Sequence, residues 1–145
     1  MKFNFFLLLL TALTAVALSQ SIPGQFQIQY VYNPSLFWAL NGTNVVLAEQ
    51  GALWTIVPYA KGNYILPVDD PGNSVQYNGV ERQLTITEDP EIDLNHRWLF
   101  FGDSNPCIIS TSQEPGVVVT VKDRNVVATY ELGIGARIWN RIRKL

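Results

Sequence analysis

Leu53-Trp54-Thr55-Ile56 is a strand-like run in which a tryptophan stands among apolar and β-branched residues. The run has two counterparts further along the chain, Trp98-Leu99-Phe100 and Ile138-Trp139. The three tryptophans are therefore 44 and 41 residues apart. A strand that returns at a nearly constant interval predicts an internal repeat of about 40 residues.

Two further segments recur in the same order around these tryptophans. A short strand opens each unit, at residues 24–28 (GQFQI), 62–66 (GNYIL) and, more loosely, 105–109 (NPCII). A turn lies midway, at Asn41-Gly42, at Asn78-Gly79 and at residues 122–125 (KDRN). Asn-Gly favours a tight hairpin because both residues accept a positive φ. Each unit is therefore predicted to contain four strands: an opening strand, the two strands of a hairpin, and a tryptophan strand.

The remaining patterning is almost wholly of the β type, and no stretch has a helical period. Apolar and β-branched runs bounded by turn residues occupy residues 26–32, 45–48, 53–57, 83–87, 98–101, 117–121 and 126–130. Three units are too few for a propeller, which has at least about four blades. The sequence therefore predicts an all-β fold, a β-trefoil, in which six strands close a barrel and three hairpins cap it.

Side chains two apart on a strand share one face, which predicts the barrel core. Phe26 with Ile28, and Tyr64 with Leu66, are expected to face inward, and Cys107 is expected to fill the slot of Phe26 and Tyr64 in the third unit. The three strand tryptophans are predicted to be core residues as well. Trp38 lies outside this repeat and is either a further core residue or an exposed contact residue.

The amino terminus has the features of a secretion signal. Lys2 precedes an apolar run over residues 5–17, and small residues allow cleavage after Ala17 or Ser19. Such a run is too short to span a membrane, which needs roughly 20 residues. We therefore expect residues 1–19 to be a cleaved signal peptide, residues 20–145 to form a single domain, and the protein to be secreted and to have no membrane anchor. In a secreted protein Asn41-Gly42-Thr43 is a usable glycosylation sequon, with Asn41 as the acceptor.

The composition excludes several kinds of chemistry. One Cys and one His leave no intrachain disulfide, no Cys-rich zinc site and no two-His metal motif, so neither a metal nor a cofactor is expected. A formal net charge of −2 argues against a nucleic-acid partner. His96 has no nucleophile-elbow motif to accompany it and is expected at a surface or a strand end. The carboxylates at 69–70 and 88–93 lie in turn-like segments. We therefore expect no catalytic residue and do not expect an enzyme. Separately, we expect the protein to be a monomer.

Several of the segments quoted above together resemble a known family. Residues 23–28 (PGQFQI), Trp54-Thr55-Ile56 followed by Gly62-Asn63-Tyr64, and Ile138-Trp139 resemble the fungal β-trefoil serine protease inhibitors of the cospin and cnispin type, within the wider ricin-B-like trefoil superfamily. The resemblance spans nearly the whole chain after the signal and rests mainly on scaffold residues. It implies inhibition of an extracellular trypsin-like protease by a basic residue at a loop tip, with different members using different loops.

Four basic residues are candidates for such a tip. The first hairpin carries the sequon instead of a basic residue, and a glycan there would block a protease. Arg124 is the leading candidate, because it lies at a predicted hairpin tip. The others are Lys61, Arg82 and Arg137.

A carbohydrate-binding lectin is the main alternative. Ricin-type lectins carry Q-x-W in each repeat, whereas here Ala52, His96 and Arg137 stand two residues before the tryptophans. This absence lowers the case for a ricin-type lectin and leaves other sugar-binding trefoils open. Mycocypin-type cysteine protease inhibitors are a third option, and plant Kunitz-type inhibitors fit less well because their disulfides are missing.

Overall fold

The computed structural model describes residues 23–88, 94–130 and 137–145. Within these ranges the chain forms twelve strands and one short 3₁₀ helix, Leu94–His96. The strands are β1 (Gln25–Tyr30), β2 (Phe37–Asn41), β3 (Asn44–Ala48), β4 (Trp54–Tyr59), β5 (Gly62–Pro67), β6 (Asn73–Gln76), β7 (Thr85–Glu88), β8 (Trp98–Phe101), β9 (Ile108–Thr111), β10 (Val117–Lys122), β11 (Asn125–Tyr130) and β12 (Trp139–Lys144). The predicted signal peptide lies outside the described residues, as does most of the acidic segment 88–93. Among the described residues no helix is long and apolar enough to cross a membrane.

Six of the strands close a barrel. β1 pairs with β12 and β4, β5 pairs with β4 and β8, and β9 pairs with β8. A bridge between Cys107 and Trp139 completes the ring between the start of β9 and β12. Because each barrel strand has a neighbour on both sides, the barrel leaves no free edge.

The other six strands form three hairpins that cap one end of the barrel. β2 pairs with β3, β6 with β7, and β10 with β11. The hairpins also touch one another, through Asn44 with Thr85, Asn125 with Val46, and Gln83 with Val127. The four-strand unit is thus repeated three times around a pseudo-threefold axis, as predicted.

The three repeated tryptophans make the same hydrogen bond in each unit, from the barrel to the hairpin. Trp54, Trp98 and Trp139 are the first residues of β4, β8 and β12, and all are fully buried. Each indole Nε1–H donates to a main-chain carbonyl on the second strand of its own unit, of Trp38 (3.5 Å), Val75 (2.9 Å) and Val119 (3.0 Å) respectively. A buried indole N–H needs such a partner, so these bonds fasten each hairpin to the barrel.

The register corrects the alignment of the opening strands by one residue. Across from the three tryptophans stand Phe26, Asn63 and Cys107, so Asn63 rather than Tyr64 is the counterpart of Cys107. The expectation that Tyr64 and Leu66 face the core is wrong, since Ile65 is the fully buried residue of that strand. A one-residue shift exchanges the two faces of a strand, which is why the error affected both side chains.

The second hairpin turn also differs from the prediction. Main-chain bonds make Thr43, Arg82 and Arg124 equivalent, because each carbonyl accepts from the third strand of a neighbouring hairpin. The residue before each of them has a positive φ: 62° at Gly42, 60° at Glu81 and 52° at Asp123. The turn is therefore Glu81-Arg82, and Asn78-Gly79 lies earlier in the same connection.

The core forms layers of three around the axis. Ile28, Ile65 and Ile109 form one fully buried layer, and Val45, Leu84 and Val126 form another in the cap. Trp38 breaks the symmetry, since its counterparts are Val75 and Val119. It is fully buried and packs edge-on against Trp54 and Trp139 at centroid distances of 5.9 and 5.4 Å, so of the two alternatives for Trp38 the core position is correct.

Candidate functional site

The outer ends of the three hairpins form equivalent, anchored tips. The Thr43 carbonyl accepts from the Ile86 N–H at 2.8 Å, the Arg124 carbonyl from the Leu47 N–H at 2.8 Å, and the Arg82 carbonyl from the Ala128 N–H at 3.3 Å. These bonds make each tip part of the cap, with its side chain exposed. Two of the three tips carry an arginine.

The second hairpin has the longest connection. Residues 77–84 link the paired residues Gln76 and Thr85, whereas two residues suffice in the first and third hairpins. Asn78 shapes the connection by donating from Nδ2 to the Gln83 carbonyl at 2.8 Å and to Thr85 Oγ1 at 2.9 Å. Gln83 in turn donates from Nε2 to the Val45 carbonyl (3.1 Å) and to Asn125 Oδ1 (3.0 Å), which ties the connection to both other hairpins.

The charges around these tips are only partly compensated. Glu81 accepts from Thr129 Oγ1 and lies 3.6 Å from Lys122 Nζ in an exposed ion pair. That pair is the only one within residues 23–88, 94–130 and 137–145. Arg82 and Arg124 are exposed and have no carboxylate partner there, so both guanidinium groups are available to another molecule.

The four predicted basic residues occupy separate places. Arg124 stands in a two-residue turn in which Asp123 and Arg124 both have positive φ, 52° and 65°. Lys61 is exposed in the turn between β4 and β5, at the end of the barrel away from the cap. Arg137 is exposed just before β12, whereas Arg82 and Arg124 share the surface of the cap.

Asn41 is exposed at the end of β2, opposite Asn44 across the turn Gly42-Thr43. The whole sequon is thus at a hairpin tip, in the position equivalent to the two arginine tips. The side chain is accessible, as a glycosylation acceptor must be.

His96 is buried, so a surface position is wrong, while a place near a strand end is correct. Its Nδ1 lies 2.5 Å from Ser74 Oγ and its Nε2 lies 3.3 Å from Thr87 Oγ1. A serine beside a histidine is one element of a nucleophile site. Here the serine is also buried, and a hydroxyl stands where a triad has a carboxylate. The group therefore fills the inside of the second repeat with satisfied polar contacts.

A carboxylate that sequence reasoning missed joins two repeats. Glu114 accepts hydrogen bonds from Tyr77 Oη at 2.6 Å and from Tyr130 Oη. The two bonds hold the pKa of Glu114 below its ordinary value, and the bond from Tyr130 has the larger effect. Burial and then the bond to Glu114 raise the pKa of Tyr77 to about 12. No local motif points to this contact, because Tyr77 is far from Glu114 in the chain.

A groove of about 440 Å³ lies on the outer surface of the third repeat. Its lining comes from β8, β9, β10 and the β9–β10 loop and consists of Leu99, Phe101, Ile108, Ser110, Thr111, Ser112, Pro115, Gly116 and Val118. None of these side chains is titratable. The groove therefore offers packing surface and hydroxyl groups, with no acid or base. Among the described residues no group of three or more His, Cys, Asp or Glu side chains is arranged to hold a metal ion.

The fold class defined by this geometry is the β-trefoil, and comparison with solved structures agrees. The chain superposes on part of a mosquitocidal holotoxin with a TM-score of 0.71 at 17% identity, over 88% of this chain and 17% of that one. It matches a GlcNAcα1-4Gal-releasing endo-β-galactosidase from Clostridium perfringens with a TM-score of 0.73 at 9% identity, over 84% of this chain and 33% of that one. The designed threefold-symmetric protein ThreeFoil matches with a TM-score of 0.65 at 10% identity, over 81% of this chain and 97% of that one.

These likenesses establish the fold alone. The chain spans only a sixth to a third of the length of the first two proteins, and every identity is below a fifth. No protein-family model matches the sequence, and no curated protein matches it.

Proposed function

We propose that this β-trefoil is a secreted, non-catalytic binding protein that inhibits a trypsin-like serine protease by inserting Arg82 into the primary specificity pocket. The observation that carries the proposal is the pair of exposed arginines at two of the three anchored hairpin tips. Trypsin-like proteases hold a basic side chain in that pocket against a carboxylate. The sequence resemblance to fungal trefoil inhibitors supports the same class.

The anchoring of the Arg82 loop supports this role. The Arg82 N–H donates to the Gly79 carbonyl at 3.3 Å, and the Arg82 carbonyl accepts from Ala128. Glu81, next to it, donates its N–H to the Ala128 carbonyl at 2.7 Å. A loop held before binding loses little conformational entropy on binding, which is how inhibitors of this kind reach high affinity.

The backbone favours Arg82 over Arg124, the leading candidate from sequence. A protease binds a substrate-like segment in an extended form that pairs with its own main chain. Arg124 has a φ of 65°, in the left-handed region, within a two-residue turn. Arg82 itself has no positive φ and lies in the longest hairpin connection. Its carbonyl must release the Ala128 N–H to meet a protease, and at 3.3 Å this is the longest of the three tip bonds.

Inhibition assays with trypsin test the proposal. Arg82→Ala should raise the inhibition constant by about 100-fold or more, because a central basic anchor contributes roughly 3 kcal/mol or more. Arg82→Lys should retain most of the inhibition. Arg124→Ala removes the same charge from an equivalent tip and should change the constant only a few-fold.

Other results would be equally informative. If Arg124→Ala abolishes inhibition and Arg82→Ala does not, the reactive tip is Arg124. If the wild-type protein inhibits neither trypsin nor papain and binds oligosaccharides on a glycan array, the inhibitor proposal is wrong and a lectin replaces it.

Secretion and glycosylation belong to the same proposal. We expect protein produced in a eukaryotic host to leave the cell cleaved after Ala17 or Ser19 and with a glycan on Asn41. Intact-mass measurement before and after enzymatic removal of N-glycans reports both changes. A secreted chain that begins at Met1, or an unmodified Asn41, would contradict this part.

A further inference from the structure

The barrel end opposite the hairpin cap is closed by six inward-facing side chains, five from barrel strands and one, Cys107, from the residue just before β9. Phe26, Asn63 and Cys107 come from the opening strands, where they stand across from the tryptophans. Ile56, Phe100 and Arg141 come from the fourth strands, across from the buried layer of Ile65, Ile109 and Ile28. Residues directly across from each other share a sheet face, so all six point inward. We call this layer the barrel floor.

Arg141 is the exceptional member of the floor, since its two counterparts are apolar. Its guanidinium lies over the ring of Phe100 at 5.0 Å from the centroid, and its Nε is buried without a hydrogen-bond acceptor. The Arg141 main chain is fixed on both sides by Asn105, which donates from Nδ2 to the carbonyl and accepts the N–H through Oδ1, both at 2.8 Å. The cation is thus held in place with part of its donor capacity unused.

Cys107 explains how the arginine fits. The equivalent position in the first unit holds Phe26, and the smaller cysteine leaves space for a guanidinium. Burial raises the pKa of the Cys107 thiol, while Arg141 and, more weakly, Arg137 oppose that rise, so both cations act on the same thiol.

Two further cations border the floor. Arg143 follows Arg141 on the same strand face and stands across from Phe26. Its Nε is 3.2 Å from the place where a Cβ on Gly24 would be. Arg137 Nη1 is 3.5 Å from the corresponding place on Gly102. Within the part of the chain that the structure describes, none of these three arginines has a carboxylate partner. Like charges gathered without a counter-ion create a positive potential that attracts anions.

We propose that the barrel floor is an anion site that binds a tetrahedral oxyanion, a sulfate or phosphate group, through Arg141, with Arg143 and Arg137 as flanking cations. The planar fork of arginine donors matches such a group with two parallel hydrogen bonds. The site lies at the opposite end of the molecule from the Arg82 tip and does not depend on the inhibitor proposal.

Titration of the whole protein with inorganic sulfate and inorganic phosphate, at ionic strength kept constant with sodium chloride, tests the site. Saturable binding should appear by calorimetry, together with a shift of the Arg141 Nε–H signal in the NMR spectrum. Arg141→Ile introduces the residue that the first unit has at this position and should weaken binding by roughly tenfold or more. Arg143→Gln changes an exposed side chain, so this variant should fold, and it should weaken anion binding by a smaller factor. If Arg141→Ile does not fold, Arg143→Gln is the test of the anion site.

Arg97→Gln is the matched control. Arg97 also lies over an aromatic ring, Tyr59 at 5.4 Å, and also has a buried Nε without an acceptor, but it faces outward, next to the inward Trp98. This variant should bind both anions as the wild type does. Equal losses in Arg97→Gln and Arg141→Ile, or no saturable binding in the wild type, would overturn the proposal.

The two anions distinguish the source of the ligand. Sulfate keeps its charge from pH 6 to 8, whereas inorganic phosphate, like a phosphate monoester, gains negative charge over this range. Binding of phosphate that strengthens over this range and exceeds that of sulfate at pH 8 indicates a phosphorylated ligand. Equal or tighter binding of sulfate indicates a sulfated one.

Discussion

At the scale of single residues, Glu114 makes a contact between two repeats that no sequence pattern predicts. It accepts from Tyr77 in the second repeat and from Tyr130 at the end of β11. The Tyr77 bond forms only when the second and third repeats are docked, whereas the Tyr130 bond lies within the third repeat. Glu114 therefore couples the docking of the repeats to pH.

The pH dependence follows from the direction of each pKa change. Glu114 has a lowered pKa, so its stabilising effect is present above 4.5 and is lost as the pH falls through the lower folded value. Tyr77 has a pKa raised from 10.0 to about 12, so its contribution is present below pH 10 and is lost as the pH rises towards 12.

We predict that Glu114→Gln reduces the loss of stability below pH 4.5. The variant should also lower the pKa of Tyr77 only in part, because burial is the larger cause of its rise. Urea unfolding at a series of pH values and titration of tyrosine absorbance measure the two effects. If the free energy of unfolding falls equally steeply below pH 4.5 in the wild type and in Glu114→Gln, protonation of Glu114 is not the cause of the acid destabilisation.

At the scale of elements, the hairpin turns depend on a left-handed residue. Gly42 has a φ of 62° and nothing within 4 Å of the place where a Cβ would be, so only backbone strain opposes a side chain there. Gly72 has equally open surroundings without a positive φ. The two glycines therefore separate strain from packing.

We predict that Gly42→Ala lowers the free energy of unfolding by about 1 kcal/mol. Gly72→Ala should leave it unchanged or raise it by a few tenths of a kcal/mol, since it only restricts the unfolded chain. Gly42→Ala preserves the sequon, so the comparison can be made with or without a glycan. Equal midpoints in urea for both variants would contradict the assigned turn.

The elements also show what local sequence could and could not predict. The repeat, the four-strand unit and the tryptophan strands follow from spacing alone. Spacing does not show which face of β5 is buried, because Tyr64, Ile65 and Leu66 are all apolar and either face matches the pattern. The Glu81-Arg82 turn cannot be predicted from local sequence either. Asn78-Gly79 is the stronger local signal, and contacts with β11 decide the register.

At the scale of the whole molecule, the threefold core is filled asymmetrically. Trp38 occupies a place that Val75 and Val119 hold in the other repeats, and it packs against two of the three repeated tryptophans. Its Nε1 is buried without a partner. Its packing must therefore outweigh the cost of an unpaired N–H, which is about 1–3 kcal/mol.

We predict that Trp38→Val destabilises the protein by about 3–5 kcal/mol, because the valine leaves a cavity beside Trp54 and Trp139. Trp38→Phe should cost less, since it keeps an aromatic ring and removes the unpaired N–H. Circular dichroism during urea unfolding measures both. A smaller loss of stability for Trp38→Val than for Trp38→Phe would contradict the packing of Trp38 against Trp54 and Trp139.

The two proposed functional surfaces also belong to the whole molecule, because segments distant in the chain create them. The equivalence of Thr43, Arg82 and Arg124 exists only once three hairpins dock, so the sequence alone points to Arg124 and does not show Arg82 as a second tip. The floor likewise needs all six barrel strands. Neither arrangement can be read from local patterns.

The identity of the peptide bond that trypsin cleaves is the most direct test of the central claim. A substrate-like inhibitor is cut slowly at its reactive bond while it occupies the active site. Incubation with a catalytic amount of trypsin, followed by mass spectrometry of the intact chain, should show one cleavage, between Arg82 and Gln83, in parallel with inhibition. Inhibition with cleavage elsewhere, or rapid cleavage after Arg82 without inhibition, would contradict the proposed role of this loop.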